Sequence, residues 1–252
     1  MSKYHKHNHQ DTLVNTNYNN DNIYLIFQFF IPSKEERYNE IKYCLKKNIE
    51  LNKFTKIILL NEKIYTKAEL GLNDTEMLNI KQVNIKLRMR YIDVFKQVLK
   101  LNLDGYIVIA NSDIFFDDTI SNVRRSCLSQ EKSLYALIRF EYKPSTPLNE
   151  CKLFTIQGSD TLHPGSQDTW IYHTKYITEI NMDLIKHGIY KLGVPGCDSK
   201  IAMGFALMGF KCINEPYNIH TYHYHTSPLR NYTLRDQLPL PYLYLEPIIR
   251  QL

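Results

Sequence analysis

The segment YIVIANSDIFFDD, residues 106–118, opens on an unbroken apolar run and closes on acids. A turn at Asp104-Gly105 precedes it. A continuous apolar run of this length, bounded by turn residues, reads as a strand covered on both faces. In open α/β sheets, ligands bind beyond the carboxyl ends of the strands. That rule places Asn111, Ser112 and Asp113 at a binding edge. A carboxylate held there can ligate a hard divalent cation, and the cation can bridge the phosphates of a nucleotide. The tripeptide alone equally allows an Asp113 that only caps a turn.

Working outward, YIDVFKQVLKLN (91–102) places Tyr91, Val94, Phe95, Val98 and Leu99 on one helical face. NIYLIFQFF (22–30) and FTKIILLNE (54–62) are two further buried strands. Between them, Tyr38, Ile41, Leu45 and Ile49 repeat at helical spacing, and Ser33 with Glu36 has capping-box spacing. Strand, helix, strand in this order implies a right-handed parallel crossover. QVNIKL (82–87) is a weak strand. Beyond the central segment, SLYALIRFEY (133–142) and TWIYHTKYI (169–177) read as strands, with a short helix near 178–188. DSKIAMGFALMGFK (198–211) reads as a helix with Gly209 as its C-cap candidate. The stretch CINEPYNIHTYHYH (212–225) is extended, and the Pro- and Tyr-rich tail after Pro228 is expected to wrap the surface. The alternation predicts an α/β sandwich with a central, mostly parallel sheet. It spans 21–252 as one domain, behind a polar tail over 1–20 too poor in apolar residues to order itself. His5, His7 and His9 belong to that tail.

The 252 residues are 44 % hydrophobic and 23 % charged, ordinary for a folded chain. The net charge is +5, with basic residues dispersed, so no nucleic-acid-binding stripe is present. A mild positive balance suits a pocket for an anionic nucleotide. Cys44, Cys127, Cys151, Cys197 and Cys212 are odd in number and contain no CxxC pair, which argues against disulfides or a zinc ribbon. Reduced thiols point to the cytoplasm. No apolar run approaches the ~20 residues that span a bilayer. The start, MSKYHKHNHQ, lacks the apolar core of a signal peptide.

Several segments share the order and spacing of one family. Asn111-Ser112-Asp113-Ile114 resembles a variant of the DxD metal motif of glycosyltransferase-A-fold enzymes. FIPSKEERYNEIKYCLKKNI (30–49), GSQDTWIY (165–172) and GVPGCDSKIAMGFALMGFKCIN (193–214) resemble, in turn, its nucleotide-side opening, a motif past the fifth strand, and a helix start that often carries an acid. The likeness covers roughly residues 22–232. It is nearest to the small glycosyltransferase domains of large DNA viruses, for which the expected place is the host cytoplasm or the virion.

The resemblance implies a three-layer glycosyltransferase-A-like sandwich. It also implies transfer of a sugar from a nucleoside-diphosphate donor, UDP by default, to a hydroxyl of a glycan or glycoprotein. The metal would be Mn2+ or Mg2+, held by Asp113, with Asn111 facing the sugar or ribose. Arg37, Arg88 and Arg90 would lie on the nucleotide side. Among the late histidines His220, His223 and His225, alternation puts His223 and His225 on one face, as metal ligands or as incidental surface residues. Imidazole suits manganese better than magnesium. Arg230 could fork onto the leaving diphosphate, or be an exposed Arg without a role. Asp198 is either an N-cap or the general base of an inverting transfer, which must reach the acceptor hydroxyl. Nearby Gly193 and Gly196 would allow close backbone approach to a sugar. Asp168 beside Trp170 is the second candidate for the base, or a sugar-recognition pair, or a loop acid next to a core indole. Arg139 and Glu141 either pair with each other or border the acceptor cleft. The competing readings are a sugar-nucleotide pyrophosphorylase, against which FQFFIPSKEER shows no glycine for a phosphate loop, and a non-catalytic nucleotide-sugar or glycan-binding module.

Overall fold

The computed structural model describes residues 22–156, 159–177, 188–227 and 233–248. The polar N-terminal tail, the expected helix near 178–188 apart from its last residue, and Arg230 lie outside the described residues.

The central sheet is built from β1 (Ile23–Phe27), β2 (Lys56–Asn61), β3 (Ile80–Asn84), β4 (Tyr106–Ala110), β6 (Ser133–Ile138), β9 (Gln167–His173) and β10 (Lys211–Ile213). Its order is β10-β6-β9-β4-β1-β2-β3. β1 pairs in parallel with β2 and β4, β2 with β3, and β10 with β6. Only β9 runs antiparallel, wedged between β4 and β6. The sheet is therefore mostly parallel. The apolar alternation of each strand sorts its side chains into two cores. Ile23, Leu25, Val108 and Leu137 meet Ile41 and Leu45 of α1 (Glu35–Glu50) on one face. Ile26, Ile107, Ile109 and Trp170 meet Val94 and Phe95 of α4 (Tyr91–Lys100) and Phe205 of α5 (Cys197–Leu207) on the other. This is the expected three-layer sandwich, with the short helices α2 (Lys67–Leu70) and α3 (Asp74–Met77) at the β2–β3 crossover.

Three local expectations are corrected. The Ser33–Glu36 capping box does not form, because the N-cap is Lys34 and makes no side-chain cap bond. Glu35 and Glu36 instead complement the positive end of the helix dipole. Residues 133–142 do not make one strand. β6 ends at Ile138 after a register shift, and Phe140–Glu141 leaves for a second sheet as β7. A charged Arg139 within the apolar run marks the exit. Trp170 is fully buried, edge-on to Tyr91 at 5.1 Å, so it offers no ring to a pyranose. It shares the inward face of β9 with Tyr172, and core packing claims it.

The second sheet has the order β5-β11-β7-β8, from Ile114–Phe116, Thr221–His223, Phe140–Glu141 and Lys152–Leu153. Asn48 of α1 pins it down. Its Nδ2 donates to Ile114 O at 2.9 Å, and its Oδ1 accepts from Phe116 N at 3.1 Å. Replacing Asn48 by Ala leaves two buried backbone groups unpaired, each worth about 1–3 kcal/mol. We expect N48A to lower the urea midpoint markedly and to weaken any ligand that binds through Asp113, which lies one residue before β5.

The C-terminal stretch wraps as expected over its described part. Leu238 N, Leu243 N and Leu245 N donate to Pro195 O, Ser199 O and Pro164 O. No helix among the described residues is long and apolar enough to cross a membrane, and all five cysteines are free.

Candidate active site

The carboxyl ends of β1, β2 and β4 open into a cavity of about 690 Å³. Because β9 is antiparallel, its amino end arrives at the same edge, and that brings Asp168 beside Asn111. Backbone pairing makes the cluster. In the second sheet His223 lies opposite Ile114 on one side and Glu141 on the other, so residues far apart in sequence converge. Tyr224 N donates to Asp113 O at 2.9 Å, locking the Asp113 turn to the same strand.

Asp113 is buried, and its Oδ2 is the focus. Arg37 Nη2 approaches it at 2.5 Å, His223 Nε2 at 3.2 Å and His225 Nδ1 at 3.5 Å. One donor atom from each of Asp113, His223 and His225 lies within 4.8 Å of the others. Burial alone would raise the Asp113 carboxyl, but the His223 and Arg37 charges outweigh it and hold it well below the usual range. Behind it, Arg37 Nη1 pairs with buried Glu40 at 2.9 Å. Glu40 Oε1 accepts from Thr226 N and Ser227 N at 2.7 and 2.9 Å, which tethers the chain just past His225.

A second network flanks the first. Asn111 Nδ2 donates to Asp168 Oδ1 at 2.5 Å, and Arg139 pairs with Asp168 Oδ2. Arg139 also binds Ser166 Oγ at 2.6 Å and Glu141 Oε1 at 2.7 Å. Both Asp168 oxygens are thus already engaged. Asp198 differs. It sits in the first turn of α5, one residue past the position after the Gly196 N-cap, so it is not the N-cap. Among the described residues its Oδ1 accepts only from the Cys197 thiol, at 3.0 Å. Burial, reinforced by the neighbouring Asp168 charge, pushes its carboxyl well above the ordinary value. A carboxyl raised in a cleft is suited to take up a proton near neutral pH.

The cleft walls include Asn111, Ser112, Asp113, Arg37, Arg88, Arg139, Asp168, Asp198, His223 and His225. Arg88 donates to Gly193 O at 3.0 Å. Arg90 does not join them. Its guanidinium closes the first turn of α4 on Asp93, at 2.8 and 3.0 Å, and Tyr91 beside it is core. His220 also goes elsewhere, to Asp117 at 2.9 Å. Gly193 and Gly196 have positive φ, but the groups that approach them belong to the chain itself. A Cβ at Gly196 would meet the Tyr242 ring, and one at Gly193 would meet Arg88.

Sequence reasoning missed Gln28, Glu62 and Glu40. Gln28 bridges the ends of β1 and β2, donating to Glu62 at 3.0 Å and accepting from Met89 N at 2.9 Å. Its signal was a lone amide inside the apolar run LIFQFF.

Along the cleft and directly behind it, Glu40, Glu62, Asp113, Glu141, Asp168 and Asp198 face Arg37, Arg88 and Arg139. The site is acid-rich although the whole chain carries +5. An anionic diphosphate entering it needs a cation between. One carboxylate and two imidazoles make a donor set that fits manganese, with magnesium less favoured.

No family model matches the sequence, and no curated protein matches it. Among solved structures, the chain is similar to a mannosyltransferase from Pyrobaculum calidifontis in complex with GDP-Man and Mn2+, at 12 % identity and a TM-score of 0.50. That match covers 84 % of this chain and 59 % of the other. It is also similar to GalNAc-T7 with UDP, GalNAc and Mn2+, at 8 % identity and a TM-score of 0.55, covering 82 % and 44 %. A 4-diphosphocytidyl-2C-methyl-D-erythritol synthase from Anaerococcus prevotii matches at 12 % identity, covering 86 % and 92 %, with a TM-score of 0.45. The chain thus spans roughly half the length of the two glycosyltransferases. The likeness is one of fold, which is glycosyltransferase-A-like.

Proposed function

We propose that this chain is a divalent-metal-dependent glycosyltransferase that moves a sugar from a nucleoside-diphosphate donor to an acceptor hydroxyl with inversion. The observation that carries the reading is the Asp113–His223–His225 cluster sharing one acid-rich cleft with the raised carboxyl of Asp198. Fold neighbours that hold GDP-Man or UDP together with Mn2+ support it.

Asp113, His223 and His225 hold the metal, which when bound offsets negative charge building on the leaving diphosphate. Arg37 keeps Asp113 ionised and faces the same space. Ser112 and Arg88 border the donor, and Asn111 holds Asp168 against the sugar hydroxyls rather than touching the metal. Asp198 takes the proton from the acceptor oxygen as that oxygen attacks the anomeric carbon. Asp168 is less apt for this task because Asn111 and Arg139 already occupy its oxygens. Arg230, outside the described residues, remains a candidate for the diphosphate.

The test is turnover of radiolabelled UDP-, GDP- and dTDP-linked sugars, with Mn2+ or with excess chelator. Metal-dependent transfer or slow donor hydrolysis supports the reading. Full activity in chelator, or release of pyrophosphate from a nucleoside triphosphate and a sugar phosphate, overturns it. Binding without turnover over a broad acceptor panel leaves the non-catalytic module.

A further inference from the structure

We propose that Glu141 is a positioning residue that fixes the ring of His223, so that Nε2 presents its lone pair to the metal cluster. The inference rests on the metal reading above, and it assigns a role to a residue that touches neither metal nor substrate.

The placement is set by the backbone. β7 and β11 run in parallel, and Glu141 is the register partner of His223. Their side chains therefore stand side by side on one face of the small sheet. His223 Nδ1 lies 3.3 Å from Glu141 Oε1 and 3.4 Å from Oε2, while Nε2 lies 3.2 Å from Asp113 Oδ2. A carboxylate can only accept, so a hydrogen bond to Glu141 needs hydrogen on Nδ1. Nε2 faces a carboxylate too, so in the neutral metal-free ring Glu141 and Asp113 compete for the one proton, and a cation taking the place of the Nε2 hydrogen leaves Nδ1–H facing Glu141. A metal-binding imidazole commonly donates its other N–H to a carboxylate in this way, which sets both tautomer and orientation.

Glu141 is itself held. Arg139 Nε donates to its Oε1 at 2.7 Å, and the same guanidinium grips Asp168 and Ser166. Half-exposed on its own, Glu141 cannot swing away without giving up that contact. Arg139 thereby links the orientation of a metal ligand to the acid on the sugar side of the cleft.

The experiment compares the full chain with E141L, which keeps bulk and loses the acceptor, and E141Q, which keeps an acceptor oxygen. Two readouts are taken without nucleotide. Free Mn2+ is titrated by electron paramagnetic resonance, and the His223 tautomer is read from 15N imidazole shifts of metal-free protein with the ring neutral. We expect a clearly larger share of Nδ1–H in the parent chain and in E141Q than in E141L, where Asp113 alone draws the proton to Nε2. Mn2+ affinity should fall 10–100-fold in E141L, as for loss of an outer-shell partner, and stay close to the parent in E141Q. An unprotonated Nδ1 in the parent chain, or an E141L protein identical to it in tautomer and affinity, overturns the proposal. A parent chain that binds no Mn2+ yet shows the tautomer change defeats the metal reading while upholding the placement of His223 by Glu141.

Discussion

Asp198→Asn is expected to abolish most of the transfer activity while making the protein more stable at neutral pH. The two effects have one cause. The carboxyl is half-buried, faces the Asp168 charge, and among the described residues has a thiol as its only hydrogen-bonding partner. Ionising it in the folded state is therefore costly. The unfolded chain ionises it near pH ~3.9, whereas the fold holds the proton to a higher pH. Below the unfolded value both states are protonated and the group contributes fully. As pH rises through the folded value that contribution is lost, because the unfolded state binds fewer protons. An amide removes the cost. D198N should therefore melt above the parent chain at pH 7, and the gap should close as pH approaches 4. Transfer should fall by ~10²–10⁴, the range for losing a general base, and the rise of rate with pH expected of the parent chain should flatten. Asp168→Asn gives the contrast. It removes one of the two charged partners that Arg139 has among the described residues and should lower the melting temperature. A D198N protein that is destabilised at pH 7 and transfers normally sinks the assignment of the base.

How much of this could be read in the sequence follows from where the information lies. β1, β2 and β4 are unbroken apolar runs, and α1, α4 and α5 carry apolar residues at helical spacing. Local pattern therefore placed them within a few residues. The direction of β9 left no such trace, because a strand buried on both faces looks the same in either direction. Trp170 was ambiguous for the same reason: burial is decided by what packs on the far side of the sheet, here Tyr91 of α4. In the site, Asp113 and Asp198 stood out because each sits at the boundary of a regular element, where ligands gather. Arg90 sits at such a boundary too, and its partner Asp93, three residues on, claims it. Glu141 and Arg139 were visible only as charges interrupting an apolar strand. Their partners, His223 and Asp168, lie 82 and 29 positions away. Only the pairing of β7 with β11, and of β6 with β9, brings them together. The net charge misled in a similar way, since dispersed lysines set the total while the cleft gathers acids.

Asp113→Asn should separate binding from folding. The amide keeps the size of the side chain but cannot hold a divalent cation with His223 and His225 as a carboxylate does. Mn2+-dependent nucleotide binding should drop by more than the 10–100-fold typical of an outer-shell loss, and activity should fall with it. Stability should also fall, because among the described residues Arg37 keeps only Glu40 as a charged partner in a buried position. Truncation to Ala goes further, since removing one partner of a buried pair costs about 3–5 kcal/mol. The informative comparison is thermal shift with each nucleoside diphosphate, with and without Mn2+. A ligand that binds only the folded chain raises the melting temperature with its concentration. The parent chain should show a large shift for one base in the presence of Mn2+, and D113N should show little for any. If D113N stays folded and shifts with Mn2+ and nucleotide as the parent does, the metal does not sit on Asp113. The acid-rich cleft would then need another way to accept a diphosphate.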